Sequence, residues 1–461
     1  MKQKDFVTRT AEAPARSLEL GVLATQAVAQ KMATALPNNP VLQKTRSYWH
    51  ILGPGLTTGA SDDDPSGILT YSQTGAQFGF HMLWLSLWTF PLMAAVQEMC
   101  ARIGIVTGRG LAGNIRIHFS KRILYACTVL LFAANAVNIG ADLGAMAKAV
   151  QLFYPHLNFT LLVAAFTIFS LGLQIFTPYA RYAKYLKWLA MILLSYILSS
   201  ILAHLHWSTV LSHGLVPSLH ISKDEVLLLS AILGTTISPY LFFWQTSQEV
   251  EEQILQGKTT VRDRQHTQAS DIRGMRIDVW SGMFLSNVVM FFIIAACGGI
   301  LFPHGITHIQ TAAQAAEALR PFAGNATYFL FAIGIIGTGL LAIPVLAASS
   351  SYALSESFRW REGLYRKLDK ANAFYGVIII SMLVGLGMNF IGVDPIKALI
   401  YAAIANALVA PLVLLLIVLL SSNKKVMGHW VNKPLTAAMG WIVFAIMTAA
   451  GVGTLAAMVV G

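Results

Sequence analysis

The feature that most restricts this chain is the recurrence of apolar runs about 20 residues long, the length a helix needs to cross a hydrocarbon core. A soluble domain interrupts its apolar runs with charge every few residues and carries about 25% charged residues. Here 11% of residues are charged and 56% are hydrophobic. The expected class is an all-α membrane bundle. A β-barrel is excluded, because it would show short alternating segments instead. About eleven spans can be read, at roughly 50–74, 79–106, 123–147, 159–177, 186–204, 226–250, 277–302, 325–355, 372–391, 396–420 and 436–460. The eighth is long enough to tilt or to extend into water. The third is unusual in holding Asn135, Asn138 and Asp142.

The net charge of +11 would suit nucleic acid only if it sat on one soluble face. Instead the Lys and Arg residues fall in short loops. With the N-terminus in the cytoplasm, the inside loops collect nearly all of them, and the outside loops hold only Lys223, Arg320 and Lys397. That asymmetry supports both the count and the orientation. The expected organisation is a cytoplasmic tail over 1–48 and a transmembrane domain over 49–461, in the inner cell membrane. The tail lacks the apolar core of a cleavable signal peptide. An amphipathic helix is conceivable around Arg16–Leu36, solvated or lying on the surface. Cys100, Cys127 and Cys297 are far apart and have neither disulfide nor zinc-ligand spacing. The partners expected are the lipid bilayer and a small substrate, with no nucleic acid and no bound cofactor. No oligomeric state is indicated. No nucleophile–base pair or histidine cluster suggests an enzyme.

Two spans are interrupted. The first reads Gly53-Pro-Gly-Leu-Thr-Thr-Gly-Ala-Ser-Asp-Asp-Asp-Pro-Ser-Gly67. Proline removes a backbone donor, glycine loosens the chain, and each of three carboxylates in hydrocarbon costs at least ~2.5 kcal/mol. Such a segment survives at membrane depth only against a polar cavity or a ligand. An ordinary proline kink does not account for three acids. The sixth span is interrupted at Gly234-Thr-Thr-Ile-Ser-Pro-Tyr240, five spans later. Paired interruptions at corresponding places in two halves point to an inverted-repeat transporter. The freed carbonyls, the Asp64 carboxylate and the Ser238 hydroxyl are hard oxygen donors. They suit Mg²⁺, Ca²⁺ or Mn²⁺ rather than soft metals, and the acids argue against an anionic substrate.

On these residues the chain resembles the Nramp family of divalent-metal transporters. The landmarks are Gly53-Pro-Gly55, Asp64-Pro65, Gly75-Ala-Gln-Phe-Gly79, Gln97, Thr107-Gly-Arg109, Pro239 and Asn287. The resemblance covers nearly the whole membrane domain. It implies the amino-acid–sodium symporter-like fold, with five-plus-five inverted repeats and alternating access. It also implies that the backbone carbonyls of Ser61 and Thr235 face the ion. The departures matter. The family's Asp-Pro-Gly-Asn is Asp64-Pro65-Ser66-Gly67 here, so an asparagine ligand is lost at Gly67. The family's Met-Pro-His is Ser238-Pro239-Tyr240, so a thioether and an imidazole are lost. Of the family's Asp and Glu on the third span, Asp142 matches the first and Ala145 replaces the second. These departures look like the Nramp-related magnesium transporter branch. The expected cargo is Mg²⁺, with Mn²⁺ as a further candidate, taken up without proton coupling. Mg²⁺ keeps several waters when bound. Gly67 and Ser238 leave room for them, and Asp62 and Asp63 could hydrogen-bond them or concentrate cations.

Other polar residues admit plainer roles. Gln245, one and a half turns past Pro239, is a candidate contact for the hydrated ion. Glu98 either lines the cavity or pairs with Arg102. Asp142 either lines an outer path or pairs with another helix. Lys148 is placed to snorkel. Asn287 either bonds between helices or reaches the site, and Asn406 falls near the family's site-facing positions. Glu249, Glu251 and Glu252 are expected to be solvated at a cytoplasmic end. Two rivals remain: a proton-coupled Mn²⁺/Fe²⁺ importer of the main family type, and a sodium-coupled organic-solute symporter.

Overall fold

The computed structural model describes residues 47–203, 205–218, 222–391 and 395–460. Two units separate. In Met1–Ile51 only residues 47–51 are described, and they are helical; the second unit, Leu52–Gly461, carries everything that follows. The expectations for the tail, including a helix at Arg16–Leu36, lie outside the described residues apart from positions 47 and 48.

Each of the eleven expected stretches is helical over most of its length, and no strand occurs among the described residues. Seven helices among them are long and apolar enough to cross a membrane by length and composition alone. The first span falls short because it is two pieces, Pro54–Asp62 and Pro65–Phe78, divided at the acids. The sixth divides at Ile237 and Ser238 into Lys223–Thr236 and Pro239–Leu255. In both spans proline opens the second arm, where its missing N–H costs nothing.

The fifth span begins earlier than expected. Its helix starts at Tyr179, passes a 3₁₀ turn at Ala190–Leu193 and ends at Leu202. Tyr179, Tyr182 and Leu186 form a buried stripe at helical spacing, which holds this basic stretch on the bundle. The eighth runs from Ala312 to Phe358 but turns at Gly324 (φ 85°, ψ 173°), next to the expected start at 325. Two short helices inside connecting loops, Leu111–His118 and Trp207–Leu215, were not expected.

Packing shows the repeat. The two interrupted spans cross reciprocally: Pro54–Asp62 lies on Pro239–Leu255, and Pro65–Phe78 lies on Lys223–Thr236. The second span packs on the seventh (Ala269–Ile300), the third (Lys121–Phe153) on the eighth, and the fourth (Phe159–Phe176) on the ninth (Asn372–Met388). Four pairs of helices five places apart therefore meet, as an inverted repeat requires. The architecture is the five-plus-five amino-acid–sodium symporter-like fold with its first and sixth helices broken.

The first span is held to the seventh by backbone contact. A Cβ on Gly59 would lie 2.2 Å from the Gly282 carbonyl oxygen, and one on Gly282 would lie 2.0 Å from that of Gly55. Only hydrogen at these positions allows so close an approach. Asp278 completes the clamp. Its carboxylate accepts from the backbone N–H groups of Gly53 (2.7 Å), Gly55 (2.7 Å) and Leu56 (3.0 Å). It thereby satisfies orphan donors at a helix N-terminus from another helix.

Candidate cation site

The site is built where the two breaks cross. Asp64 is the N-cap of Pro65–Phe78. Its Oδ1 accepts from the Gly67 N–H (2.7 Å) and the Ser66 hydroxyl (2.7 Å). Oδ2 takes no hydrogen bond among the described residues, and Asp64 is 3% exposed whereas Asp62 and Asp63 are 0% exposed. One oxygen thus orients the carboxylate and the other is left for a ligand. The missing side chain at Gly67 would have pointed at this group, since a Cβ there would lie 3.3 Å from Asp64 Oδ1 and 3.2 Å from the Asp62 carbonyl.

Asp62 and Asp63 turn toward the seventh span. The Ser286 hydroxyl donates to Asp62 Oδ2 at 2.9 Å and approaches Asp63 Oδ1 at 3.5 Å. Asp62 Oδ1 and Asp63 Oδ2 are enclosed without partners. Asp142 is also fully buried, close enough to Asp64 for their charges to interact, and neither of its oxygens has a partner. No Lys, Arg or His forms an ion pair with any of these four acids among the described residues.

The carbonyls expected as ligands are both present at the breaks, and each already accepts from a hydroxyl. Tyr240 reaches across and donates to the Ser61 carbonyl (2.8 Å). Ser238 donates back along its own helix to the carbonyls of Thr235 (2.7 Å) and Gly234 (2.8 Å). A carbonyl has two lone pairs, so each keeps one for an ion. Gly234 is buried, yet a Cβ on it would meet nothing within 4 Å, which marks open space beside the sixth break. Among the described residues no three His, Cys, Asp or Glu side chains converge to hold a metal by themselves. Coordination here would rest on one carboxylate oxygen, carbonyls and water.

Gln245 turns from the break to Glu249, to which its amide donates at 2.8 Å, leaving its own Oε1 unpartnered. The expectation that Glu249 and Glu251 are solvated is wrong: both are buried. Glu251 accepts from the Tyr352 hydroxyl (2.6 Å) and the backbone N–H groups of Leu364 (2.8 Å) and Tyr365 (3.2 Å), so the loop after the eighth span folds over it. Glu252 accepts from the Tyr179 hydroxyl. Glu98 pairs with Arg276 (2.8 Å) and Arg102 (3.5 Å) and accepts from the Trp280 indole (2.8 Å). Asn287 bonds between helices, accepting from the Thr89 hydroxyl at 2.9 Å. Lys148 is exposed, with its ammonium 5.2 Å from the Phe159 ring centre. Asn406 is buried with its Oδ1 unpartnered.

Sequence reasoning missed Asp278, Ser286 and the bridging role of Tyr240. The first two lie more than 220 positions from their partners. Their only signal was a polar residue inside an apolar helix.

Comparison with known proteins adds relatives. The family model described as "Natural resistance-associated macrophage protein-like" matches residues 55–457. A divalent metal cation transporter MntH from Aeromonas hydrophila is 25% identical over 416 residues, covering 89% of this chain and 96% of the relative. Another MntH, from Caldanaerobacter subterraneus, is 24% identical over 403 residues, covering 86% and 90%. The Eremococcus coleocola manganese transporter, solved with an aromatic bis-isothiourea compound, superposes with a TM-score of 0.68 at 20% identity over 90% of this chain and 87% of that one. Mhp1, a nucleobase-cation-symport-1 transporter, gives 0.52 at 14% identity, over 89% and 91%.

Proposed function

The chain belongs to the Nramp family, whose model matches it over residues 55–457, and from that premise we propose that it moves divalent metal cations across a membrane by alternating access. The observation that carries this is the acid cluster. Asp62, Asp63, Asp64 and Asp142 are buried together with no ion-paired base among the described residues. Buried carboxylates without a countercharge are costly, and a cation relieves that cost. The named relatives, divalent metal cation and manganese transporters, support the same class of cargo.

The cargo we propose is Mg²⁺, with Mn²⁺ as a second. Asp64 is the central ligand, and the carbonyls of Ser61 and Thr235 flank it. The open space beside Gly234 houses retained waters, whereas the side-chain position at Gly67 is filled by the Asp64 carboxylate and the Asp62 carbonyl. Ser238, Asp62, Asp63 and Gln245 act from further out, through water. No thioether, thiol or imidazole stands at either break, so nothing there favours a softer ion over Mg²⁺. Uptake runs down the membrane potential, which supplies about 2.3 kcal/mol per charge per 100 mV, without a co-transported proton. Ala145 removes one titratable group from the family's proton path. The loop-charge asymmetry supports an N-terminus in the cytoplasm.

Vesicles reconstituted with the protein and loaded with Mg²⁺- and pH-sensitive dyes test this reading. Mg²⁺ should enter with no matching acidification. Proton entry that scales with metal uptake would replace it with a proton-coupled Mn²⁺/Fe²⁺ importer, the reading that the MntH relatives favour.

A further inference from the structure

A cavity of about 730 Å³ lies away from the acid cluster, on the face that loop charge assigns to the cytoplasm. The loop after the second span, the end of Pro239–Leu255 and the loop after the eighth span surround it. We propose that this cavity binds a phosphate-bearing anion.

The argument is one of unsatisfied positive charge. Three of the charged groups lining the cavity are spent on the fold. Arg264 donates to the carbonyls of Gly108 (3.0 Å) and Thr259 (2.9 Å). Glu251 is consumed by the loop amides already described. Glu356 accepts from the Gly113 N–H at 2.7 Å and from Ser247 at 3.2 Å. The glycine-rich turn Gly108–Gly113 therefore offers no free helix N-terminus; its anion is Glu356, and a Cβ on Gly110 would overlap that carboxylate.

What remains is basic. Among the described residues, the side chains of Arg109, Lys121 and Arg359 make no hydrogen bond or ion pair; Arg116 donates through Nη1 to the Glu356 carbonyl at 3.5 Å, and its buried Nε has no partner. Counted with Arg264, five cations line the cavity against three carboxylates, Glu251, Glu356 and Glu362, and Glu356 lies near enough to Arg109 to offset part of its charge. Burial, with Glu356 and Glu251 beside it, pushes the Glu362 carboxyl well above the usual range. A carboxylate ligand would balance one cation. A phosphate, or a chain of them, balances several and suits guanidinium forks.

Arg359 is the independent sign. It is the only non-glycine residue with positive φ among those described (φ 60°), at a helix C-cap that glycine normally fills. Retaining a side chain at a strained position points to a use for that side chain.

The test titrates detergent-solubilised full-length protein with sodium tripolyphosphate and with inorganic phosphate, in EDTA so that the transport site is empty. A parallel arm measures thermal stability in nanodiscs with and without phosphatidylglycerol. Arg359→Gly should fold at least as stably as the parent, because it relieves the backbone, while binding weakens at least about tenfold, as loss of a charged hydrogen bond predicts. Arg116→Gln should weaken binding similarly, and rising salt should weaken it further. Tripolyphosphate binding with these losses supports a soluble phosphate ligand. Stabilisation by phosphatidylglycerol alone, lost in the same variants, supports a lipid headgroup. Binding of neither, or binding that ignores both substitutions, overturns the proposal.

Discussion

The first and sixth spans are broken at corresponding places, yet they are held in opposite ways. The first is clamped. Asp278 caps its N-terminal arm, Gly55 and Gly59 press against the backbone at Gly282, and Asp64 caps the arm that follows. The sixth is loose by comparison. Ser238 stands at the N-cap position but does not cap, its hydroxyl being turned back on Gly234 and Thr235, and open space adjoins Gly234. One break presents a fixed charge. The other has carbonyls and room that can adapt to an ion's water shell. Tyr240 joins them through the Ser61 carbonyl.

The largest effect should come from the fixed charge. Asp64→Ala should abolish Mg²⁺ uptake in reconstituted vesicles. Truncating one side of a buried charge pair costs about 2–5 kcal/mol, or roughly 30-fold to several-thousand-fold. Unimpaired uptake in a folded variant would remove Asp64 from the site.

Paired glycine substitutions test the contrast itself. Gly59→Ala should lower the melting temperature, because a methyl 2.2 Å from a backbone carbonyl forces the helices apart, at about 1–3 kcal/mol or more. Gly234→Ala should leave stability unchanged or raise it by about 0.4–1 kcal/mol, through a less flexible unfolded chain. Its uptake should nevertheless fall several-fold, because the methyl enters the space assigned to retained water. Equal stability losses in the two variants would erase the distinction between clamped and loose breaks.

Asp278→Asn probes the clamp without touching the site. Three backbone donors lose a charged acceptor, and hydrogen bonds to charged groups contribute about 1.5–3 kcal/mol each. Asparagine keeps one acceptor oxygen, so a net loss of about 2 kcal/mol is expected in thermal unfolding. Apparent Mg²⁺ affinity should change less than stability. The reverse order would mean that Asp278 belongs to the ion path.

The spans and the breaks were legible in sequence because their causes are local. Apolar run length fixes a crossing, Lys and Arg mark the loops, and Pro65 and Pro239 stop helices wherever they sit. The clamp was not legible. It depends on glycines from two helices meeting, which leaves no periodic trace in either. Glu251 misled for the same reason: its position near a helix end suggested water, and the amides that satisfy it belong to residues 364 and 365. At the site the residue types could be read, but not the directions of their side chains. Asp62 and Asp63 stand next to Asp64 in the chain yet face Ser286.

The smallest effect, and the sharpest test of the loose break, is Ser238→Met. It removes two hydroxyl bonds within one helix and restores a thioether at the position where the family carries one. Intrahelical side-chain bonds of this kind contribute about 0.5–1.5 kcal/mol, so the protein should still fold. A soft donor favours softer ions. Competition assays should therefore show uptake of Mn²⁺ and Cd²⁺ rising against Mg²⁺, by roughly tenfold or less for a single added ligand. If the break is adaptable, the arm can turn the new sulfur toward the ion and the ratio will move. A ratio that stays fixed while total uptake persists would mean that residue 238 never faces the ion. Discrimination would then rest with the first break alone, through Asp64 and Gly67.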